Sequence, residues 1–186
     1  MIVPENVLAI THYFAEKAVS EGDTVIDATM GNGHDTLFLS RLVGEKGKVY
    51  AFDIQKQAVE STALLLEKEG VSNAELILSG HQNMEQYVTD EVSAVMFNLG
   101  YLPGGDHSVG TLADTTIAAL ESAMRLIKKN GVITIGVYYG GDSGFDEKNR
   151  VMDYIAGIDF KKFTVLTFDY KNRPNCPPIA VIIEKL

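Results

Sequence analysis

Residues 25–36 read Val-Ile-Asp-Ala-Thr-Met-Gly-Asn-Gly-His-Asp-Thr, an apolar run followed by a carboxylate and two glycines. Glycines directly after a strand let the chain turn sharply and come close to a ligand. Thr36 stands where the dinucleotide fingerprint has its third glycine, and the carboxylate of Asp27 would repel a pyrophosphate. A cationic ligand suits this segment better, and S-adenosylmethionine (SAM) carries both an ammonium and a sulfonium. The candidate cofactor contacts here are Asp27, Thr29, Gly31, Asn32, Gly33, His34, Asp35 and Thr36.

A second carboxylate, Asp53, ends the next apolar run. At that position it can accept hydrogen bonds from both hydroxyls of a ribose, a group that NAD and SAM share. The residues after the third apolar run fall where methyltransferases commonly bind the adenine edge. We therefore expect further cofactor contacts from His81, Gln82 and Asn83, and from Gln55 directly after the second run. For His81 the alternative of a histidine in a surface loop stays open.

The segment after the fourth apolar run is the candidate catalytic segment. It reads Asn-Leu-Gly-Tyr-Leu-Pro-Gly-Gly-Asp-His over residues 98–107 and resembles, with Leu-Gly in place of Pro-Pro, the Asn-Pro-Pro-Tyr element of amino-methylating nucleic-acid methyltransferases. In those enzymes the Asn oxygen accepts a hydrogen bond from the target amine, and the Tyr stacks on the base. Methyl transfer from a sulfonium mainly requires that the nucleophile be held in line. The candidate catalytic residues are Asn98 (also a cofactor contact), Tyr101 (also a substrate contact), Asp106 and His107. A packing role for Tyr101 and a surface position for His107 are the alternatives.

Short apolar runs alternate with helical periods, which is typical of a parallel α/β sheet. Helices are predicted over residues 5–20, 35–43 and 55–69, and over an apolar stripe at Ala113, Ile117, Leu120, Met124 and Ile127. Strands are predicted over residues 24–28, 48–53, 75–78, 92–98, 132–138, 163–168 and 179–184. The proline-rich stretch 172–178 suits a hairpin, so the last strand should be antiparallel. By fold-level analogy, we predict a doubly wound, mostly parallel seven-stranded sheet of the class I SAM-methyltransferase (Rossmann-like) type.

Length and composition set the broad class. The chain has 186 residues, enough for a single domain over residues 1–186 with a sizeable core, and 46% of them are apolar. No signal peptide and no membrane span are predicted. Cys176 is the only cysteine, which favours a reducing cytoplasm. The four histidines lack ligand-like spacing, so no metal site is predicted.

The formal net charge of −9 excludes a broad basic face for duplex nucleic acid. It leaves room for a limited phosphate footprint on one loop of a folded RNA. The candidate contacts are Arg173 and Asn175 in the proline-rich stretch and Lys171 directly before it, whereas Lys161 and Lys162 are better explained as a solvated charged face. The residues do not fix the oligomeric state, and a homodimer is compatible with them.

Three motifs together resemble one family: residues 27–36, residues 98–106, and Tyr-Lys-Asn-Arg-Pro-Asn-x-Pro-Pro over residues 170–178. This is the small bacterial family long labelled "putative rRNA methylase", and the resemblance covers essentially the whole chain. It implies an N-methyltransferase that converts 5-aminomethyl-2-thiouridine at the tRNA wobble position to 5-methylaminomethyl-2-thiouridine, with the anticodon loop as partner. The alternatives are a methyltransferase of ribosomal RNA or of a small amine, and a non-catalytic SAM- or nucleotide-binding module.

Overall fold

A computed structural model describes residues 4–100, 111–139 and 144–186. Its helices are α1 (Val7–Ala18), α2 (His34–Val43), α3 (Lys56–Lys68), α4 (Ala113–Leu126) and α5 (Gly144–Ala156), with a 3₁₀ helix, η1, at His81–Gln86. Its strands are β1 (Thr24–Asp27), β2 (Lys48–Asp53), β3 (Ala74–Leu78), β4 (Val92–Leu99), β5 (Ile127–Val137), β6 (Phe163–Phe168) and β7 (Ile179–Lys185).

The strands form one seven-stranded sheet in the order β3-β2-β1-β4-β5-β7-β6. Strands β1 to β5 run parallel, and β7 is antiparallel to both of its neighbours, β5 and β6. The predicted sheet with its reversed last strand is confirmed. The order places β1 beside β4, where the chain switches from one half of the sheet to the other. In open α/β sheets, ligands bind outside the carboxyl ends of the strands at such a switch point.

Helices cover both faces of the sheet, which confirms the doubly wound arrangement. Along β4, Val95, Phe97 and Leu99 enter an apolar cluster with residues of α4 and α5. Ala94 and Met96 point the other way and pack with residues of α1 and α2. Since side chains alternate along a strand, the next residue on the second face is Asn98. The catalytic candidate therefore lies on the side of α1 and α2.

Three elements differ from the sequence prediction. Helices α5 and η1 were not predicted, because charged residues interrupt the apolar pattern of α5 and η1 carries only two buried side chains, His81 and Met84. Strand β5 begins at Ile127, which the helical stripe had assigned to the preceding helix. A single apolar residue at the junction satisfies both periods, so the pattern could not place that boundary.

In the described ranges, none of the helices has the length and apolar character needed to cross a membrane. The same residues contain no cluster of three or more His, Cys, Asp or Glu side chains arranged to hold a metal ion.

Candidate active site

The carboxyl ends of β1, β2 and β4 meet at one edge of the sheet. In the ladder, Asp27 is paired with Ala51 of β2 and with Met96 of β4. Asp53 and Asn98 each follow two residues after those partners, so both lie just beyond Asp27 at the same edge. The parallel register thus brings together the three residues that the sequence places at strand ends.

The glycine-rich turn after β1 is tied to β2 by Asp53. Its Oδ2 accepts the N–H of Gly31 at 3.0 Å and its Oδ1 accepts the N–H of Gln55 at 2.9 Å. Gly33 has φ +84°, and a Cβ there would lie 2.7 Å from the Thr62 hydroxyl oxygen of α3. Glycine is therefore required at 33 by both backbone conformation and the close approach of α3. A carboxylate accepts about four hydrogen bonds, so Asp53 retains capacity for ribose hydroxyls.

Asp27 is buried beneath the turn after β1 and stabilises it through hydrogen bonds. Its oxygens accept the backbone N–H of Thr29 at 3.1 Å and the hydroxyl of Thr36 at 2.7 Å, and the side chain has no exposed surface. Burial, and then the nearby charge of Asp35, raise the pKa of Asp27 to about 7. With no exposed surface, Asp27 would act on a ligand through its charge and through the turn that it supports.

The other candidates in this segment are distributed around the turn. Thr29 and Asn32 are half-buried, and the Thr29 hydroxyl accepts the backbone N–H of Asn98 at 2.7 Å. This contact joins the ends of β1 and β4. His34 is exposed at the first residue of α2.

A histidine that the sequence analysis gave no role completes this part of the site. His12 of α1 donates from Nε2 to Oδ1 of Asp35 at 2.7 Å, and its ring stacks on Phe38 with centroids 3.7 Å apart. The second oxygen of Asp35 accepts a hydrogen bond from the side-chain amide of Asn98. No local motif marks His12, since its partners come from α2 and β4. In the sequence, His12 stands out only as an aromatic residue with polar ring nitrogens in the predicted opening helix.

The amide of Asn98 is held in one orientation. A carboxylate can only accept hydrogen bonds, so the Nδ2 atom must face Asp35 and the oxygen must point away from it. That Oδ1 atom is buried and finds no hydrogen-bond partner among the described residues. It faces Gly136, which is paired with Asn98 in the β4–β5 ladder. A Cβ on Gly136 would lie 2.6 Å from this oxygen, so only glycine leaves room for it.

The residues after β3 lie in η1, which is joined to the end of β1 by His81. His81 is buried, and its Nδ1 donates to the carbonyl of Ala28 at 3.1 Å. The surface-loop alternative for His81 is therefore wrong. Burial lowers the pKa of His81, so the imidazole is neutral at pH 7. Gln82 and Asn83 are half-buried, and the Asn83 amide donates to the Ser79 hydroxyl at 3.1 Å.

The catalytic candidates Tyr101, Asp106 and His107 lie outside the described residues, but both ends of their segment are defined. The Thr111 N–H donates to the Gly100 carbonyl at 3.0 Å, and the Gly100 N–H donates to the Thr111 hydroxyl at 2.9 Å. That hydroxyl donates to Glu147 of α5 at 2.8 Å, and Glu147 also accepts the Thr116 hydroxyl at 3.0 Å. Burial raises the pKa of Glu147. The α5 helix therefore anchors the end of the candidate catalytic segment.

The proline-rich turn between β6 and β7 lies at the same edge, because β7 begins where β5 ends. Arg173 donates to the carbonyl of Glu5 at 2.6 Å and lies over the Tyr170 ring at 3.8 Å. The exposed Lys171 pairs with Asp169, and Asn175 adopts a left-handed φ of 62°. The sequence did not predict that this turn would pack on the chain just before α1.

The carboxylates of Asp27, Asp35 and Asp53 make this edge of the sheet strongly anionic. The buried Asp27 would gain from a nearby positive charge, as its raised pKa indicates. The sulfonium and ammonium of SAM meet that need, and the free oxygen of Asn98 can accept an N–H from an amine. The described residues therefore fit SAM beside a nitrogen nucleophile.

Comparison with known proteins gives the same assignment. The family model "Putative rRNA methylase" matches residues 49–184. The chain is 40% identical over 190 residues to "tRNA (mnm(5)s(2)U34)-methyltransferase, chloroplastic" of Arabidopsis thaliana, covering 95% of this chain and 68% of the plant protein. It matches the crystal structure of a "putative rRNA-methylase" from Clostridium thermocellum with 50% identity and a TM-score of 0.98, covering 100% of both chains. A "putative methyltransferase" from Streptococcus mutans, solved in complex with SAH, matches with 40% identity and a TM-score of 0.91, covering 99% of this chain and 100% of the other.

Proposed function

We propose that this chain, a SAM-dependent methyltransferase that belongs to the family described as "Putative rRNA methylase", methylates the wobble uridine of tRNA. The proposed substrate is the exocyclic amine of 5-aminomethyl-2-thiouridine, and the proposed product is 5-methylaminomethyl-2-thiouridine. The name of the plant relative, which states a tRNA position, supports tRNA over the ribosomal RNA of the family description.

The observation that carries the proposal is the side-chain oxygen of Asn98, a buried acceptor with no hydrogen-bond partner among the described residues. A buried acceptor left without a partner is costly, so a donor brought by a ligand would be favoured there. When the target amine is uncharged, an N–H that donates to this oxygen leaves the nitrogen lone pair available for a methyl group. When bound, SAM supplies that methyl on a cationic sulfur. The chain contributes orientation: Asp35 fixes the amide, and Asp53, which also holds the turn after β1, would accept the ribose hydroxyls. Positioning of this kind supplies most of what a sulfonium methyl transfer requires.

The surface beside the site suits a loop of RNA. Phe145 is 44% exposed and lies edge-on to Tyr139, with ring centroids 5.6 Å apart. The Lys148 ammonium lies 4.4 Å from the Tyr139 ring centroid. Arg173 lies in the proline-rich turn before β7, whose first residue pairs with the last residue of β5. Unpaired bases stack on aromatic rings, and a few cations suffice for a limited phosphate footprint. These features support the anticodon loop as the segment that is bound.

We propose further that residues 1–186 act as a single domain and that the enzyme works in the cytoplasm, where tRNA and SAM occur together. The single exposed cysteine, Cys176, fits a reducing compartment.

The test is methyl transfer to tRNA from a strain that lacks the corresponding gene. Purified protein and SAM should convert 5-aminomethyl-2-thiouridine to its methylated form, as measured by nucleoside mass spectrometry. The Asn98→Ala variant should bind SAM but turn over about 100-fold more slowly, because it removes a polar contact at the reacting nitrogen.

Ribosomal RNA from the same strain and free small amines serve as competing acceptors in that assay. Methylation of ribosomal RNA alone, or of the free amines alone, would replace the proposed substrate. No transfer to any acceptor, with SAM bound, would identify a non-catalytic module.

A further inference from the structure

His12 lies at the interface of α1 and α2, in a position fixed on two sides. Its ring is parallel to that of Phe38 within 3°, which sets the ring plane, and its Nε2–H···Oδ1 bond to Asp35 sets the ring edge. Asp35 and Phe38 are three residues apart on α2, so both side chains face α1. The side chains of His12 and Asp35 are 24% and 10% exposed, so the pair is largely shielded from water.

Asp35 connects this histidine to the catalytic candidate. One carboxylate oxygen accepts from His12, and the other accepts from the amide of Asn98. Both oxygens are therefore engaged, and the carboxylate cannot turn without breaking one of the two bonds. The orientation of the Asn98 amide thus depends on a donor in α1, which precedes the residues that the family model matches.

We propose that His12 is a positioning residue: through Asp35 it holds the Asn98 amide so that Oδ1 stays free to accept the target amine. Without His12, the Asp35 carboxylate loses the donor that holds one of its oxygens and can rotate. Rotation of the carboxylate weakens its bond to the Asn98 amide, so the amide is no longer held with Oδ1 toward the substrate. The inference rests on the proposed amine methylation, because it assigns His12 a role in that same site.

The test combines kinetics with a measurement that needs no substrate. His12→Ala should lower kcat by about 10- to 100-fold while KM for tRNA stays within about threefold, since the damage is to alignment. His12→Gln, which keeps a donor toward Asp35, should recover most of the lost kcat. Tyr13→Ala, an exposed aromatic residue on the same helix, is the matched control and should leave kcat unchanged.

A double variant decides whether His12 acts through Asn98. Added to Asn98→Ala, the His12→Ala change should lower kcat by less than about twofold, because residues that act as a unit are not additive. Losses that multiply would overturn the proposal, as would a folded His12→Ala variant with normal kcat or a His12→Gln variant as slow as His12→Ala.

The substrate-free measurement is the NMR signal of the Asn98 side-chain amide, assigned by its loss in Asn98→Ala. This signal should shift in His12→Ala and stay in place in Tyr13→Ala. An unmoved signal would overturn the proposal even if tRNA is methylated. A wild-type protein that does not methylate tRNA would refute the proposed substrate instead, and the NMR comparison would still test the contact.

Discussion

Replacing Gly136 with alanine should disable the site without removing any polar group. Gly136 is paired with Asn98 in the β4–β5 ladder, and its side-chain direction points at the Asn98 oxygen. The added Cβ would lie 2.6 Å from that oxygen, whereas ordinary contact begins at 3.4 Å, so the oxygen must move by about 0.8 Å. The Tyr138 ring and Val7, at 3.1 and 3.3 Å, leave the methyl group little room to move instead.

The expected loss follows from this displacement. Misplacement of a reacting group by about 1 Å costs about 100-fold in rate, so kcat should fall by about 10- to 100-fold. An extra methyl group in a packed region costs about 1–3 kcal/mol of stability, which corresponds to a melting temperature lowered by about 3–10 °C. SAM affinity should change by less than about threefold, because β4 separates the strand of Gly136 from β1 and β2, which carry Asp27 and Asp53.

The assay is the initial rate of methyl transfer to tRNA at saturating SAM, with a melting curve for each variant. Gly157→Ala is the matched control, because its Cβ would make only an ordinary contact of 3.4 Å with a backbone oxygen. Combining Gly136→Ala with Asn98→Ala should add no further loss of kcat. A folded Gly136→Ala variant with kcat within twofold of the parent would refute the reasoning.

Three further predictions concern the cofactor and the RNA. First, Asp53→Ala should lower SAM affinity, measured by calorimetry, at least about tenfold, since each hydrogen bond to the charged acceptor contributes about 1.5–3 kcal/mol. The variant should also have a lower melting temperature, because Asp53 holds the N–H groups of Gly31 and Gln55. Unchanged affinity would contradict the ribose assignment. Second, because the pKa of Asp27 is raised to about 7, by burial and then by Asp35, a bound cation should lower it and release a proton. SAM affinity should therefore rise about tenfold from pH 6 to pH 8 and level off above, and Asp27→Asn should flatten the profile; a flat profile in the parent would refute this. Third, Arg173→Ala should weaken tRNA binding, reduce its salt slope by about one and leave SAM affinity unchanged, with Lys161→Ala as the control that changes neither. Equal tRNA affinity at low salt would show that Arg173 serves only to hold Glu5 and Tyr170.

The sequence by itself determined the sheet and the strand-end residues. Seven strands could be placed from local signals, namely short apolar runs and the glycines that follow them. The proline-rich hairpin indicated that the last strand is reversed. Parallel strands deliver their carboxyl ends to one edge, so Asp27, Asp53 and Asn98 could be expected to meet there. Helix α5 escaped prediction because its charged residues mask the buried positions Val151 and Ile155.

Only the tertiary structure decided how those residues are used. Asp27 was expected to meet a cation directly, but the turn that covers it leaves its carboxylate no exposed surface. His12, Asp35 and Asn98 come from three separate elements, so no spacing along the chain could link them. The same holds for Gly136, whose missing side chain matters only because β5 pairs with β4 in this register. Local patterns fix secondary structure, whereas the orientation of an amide depends on donors and on packing that meet only in the folded chain.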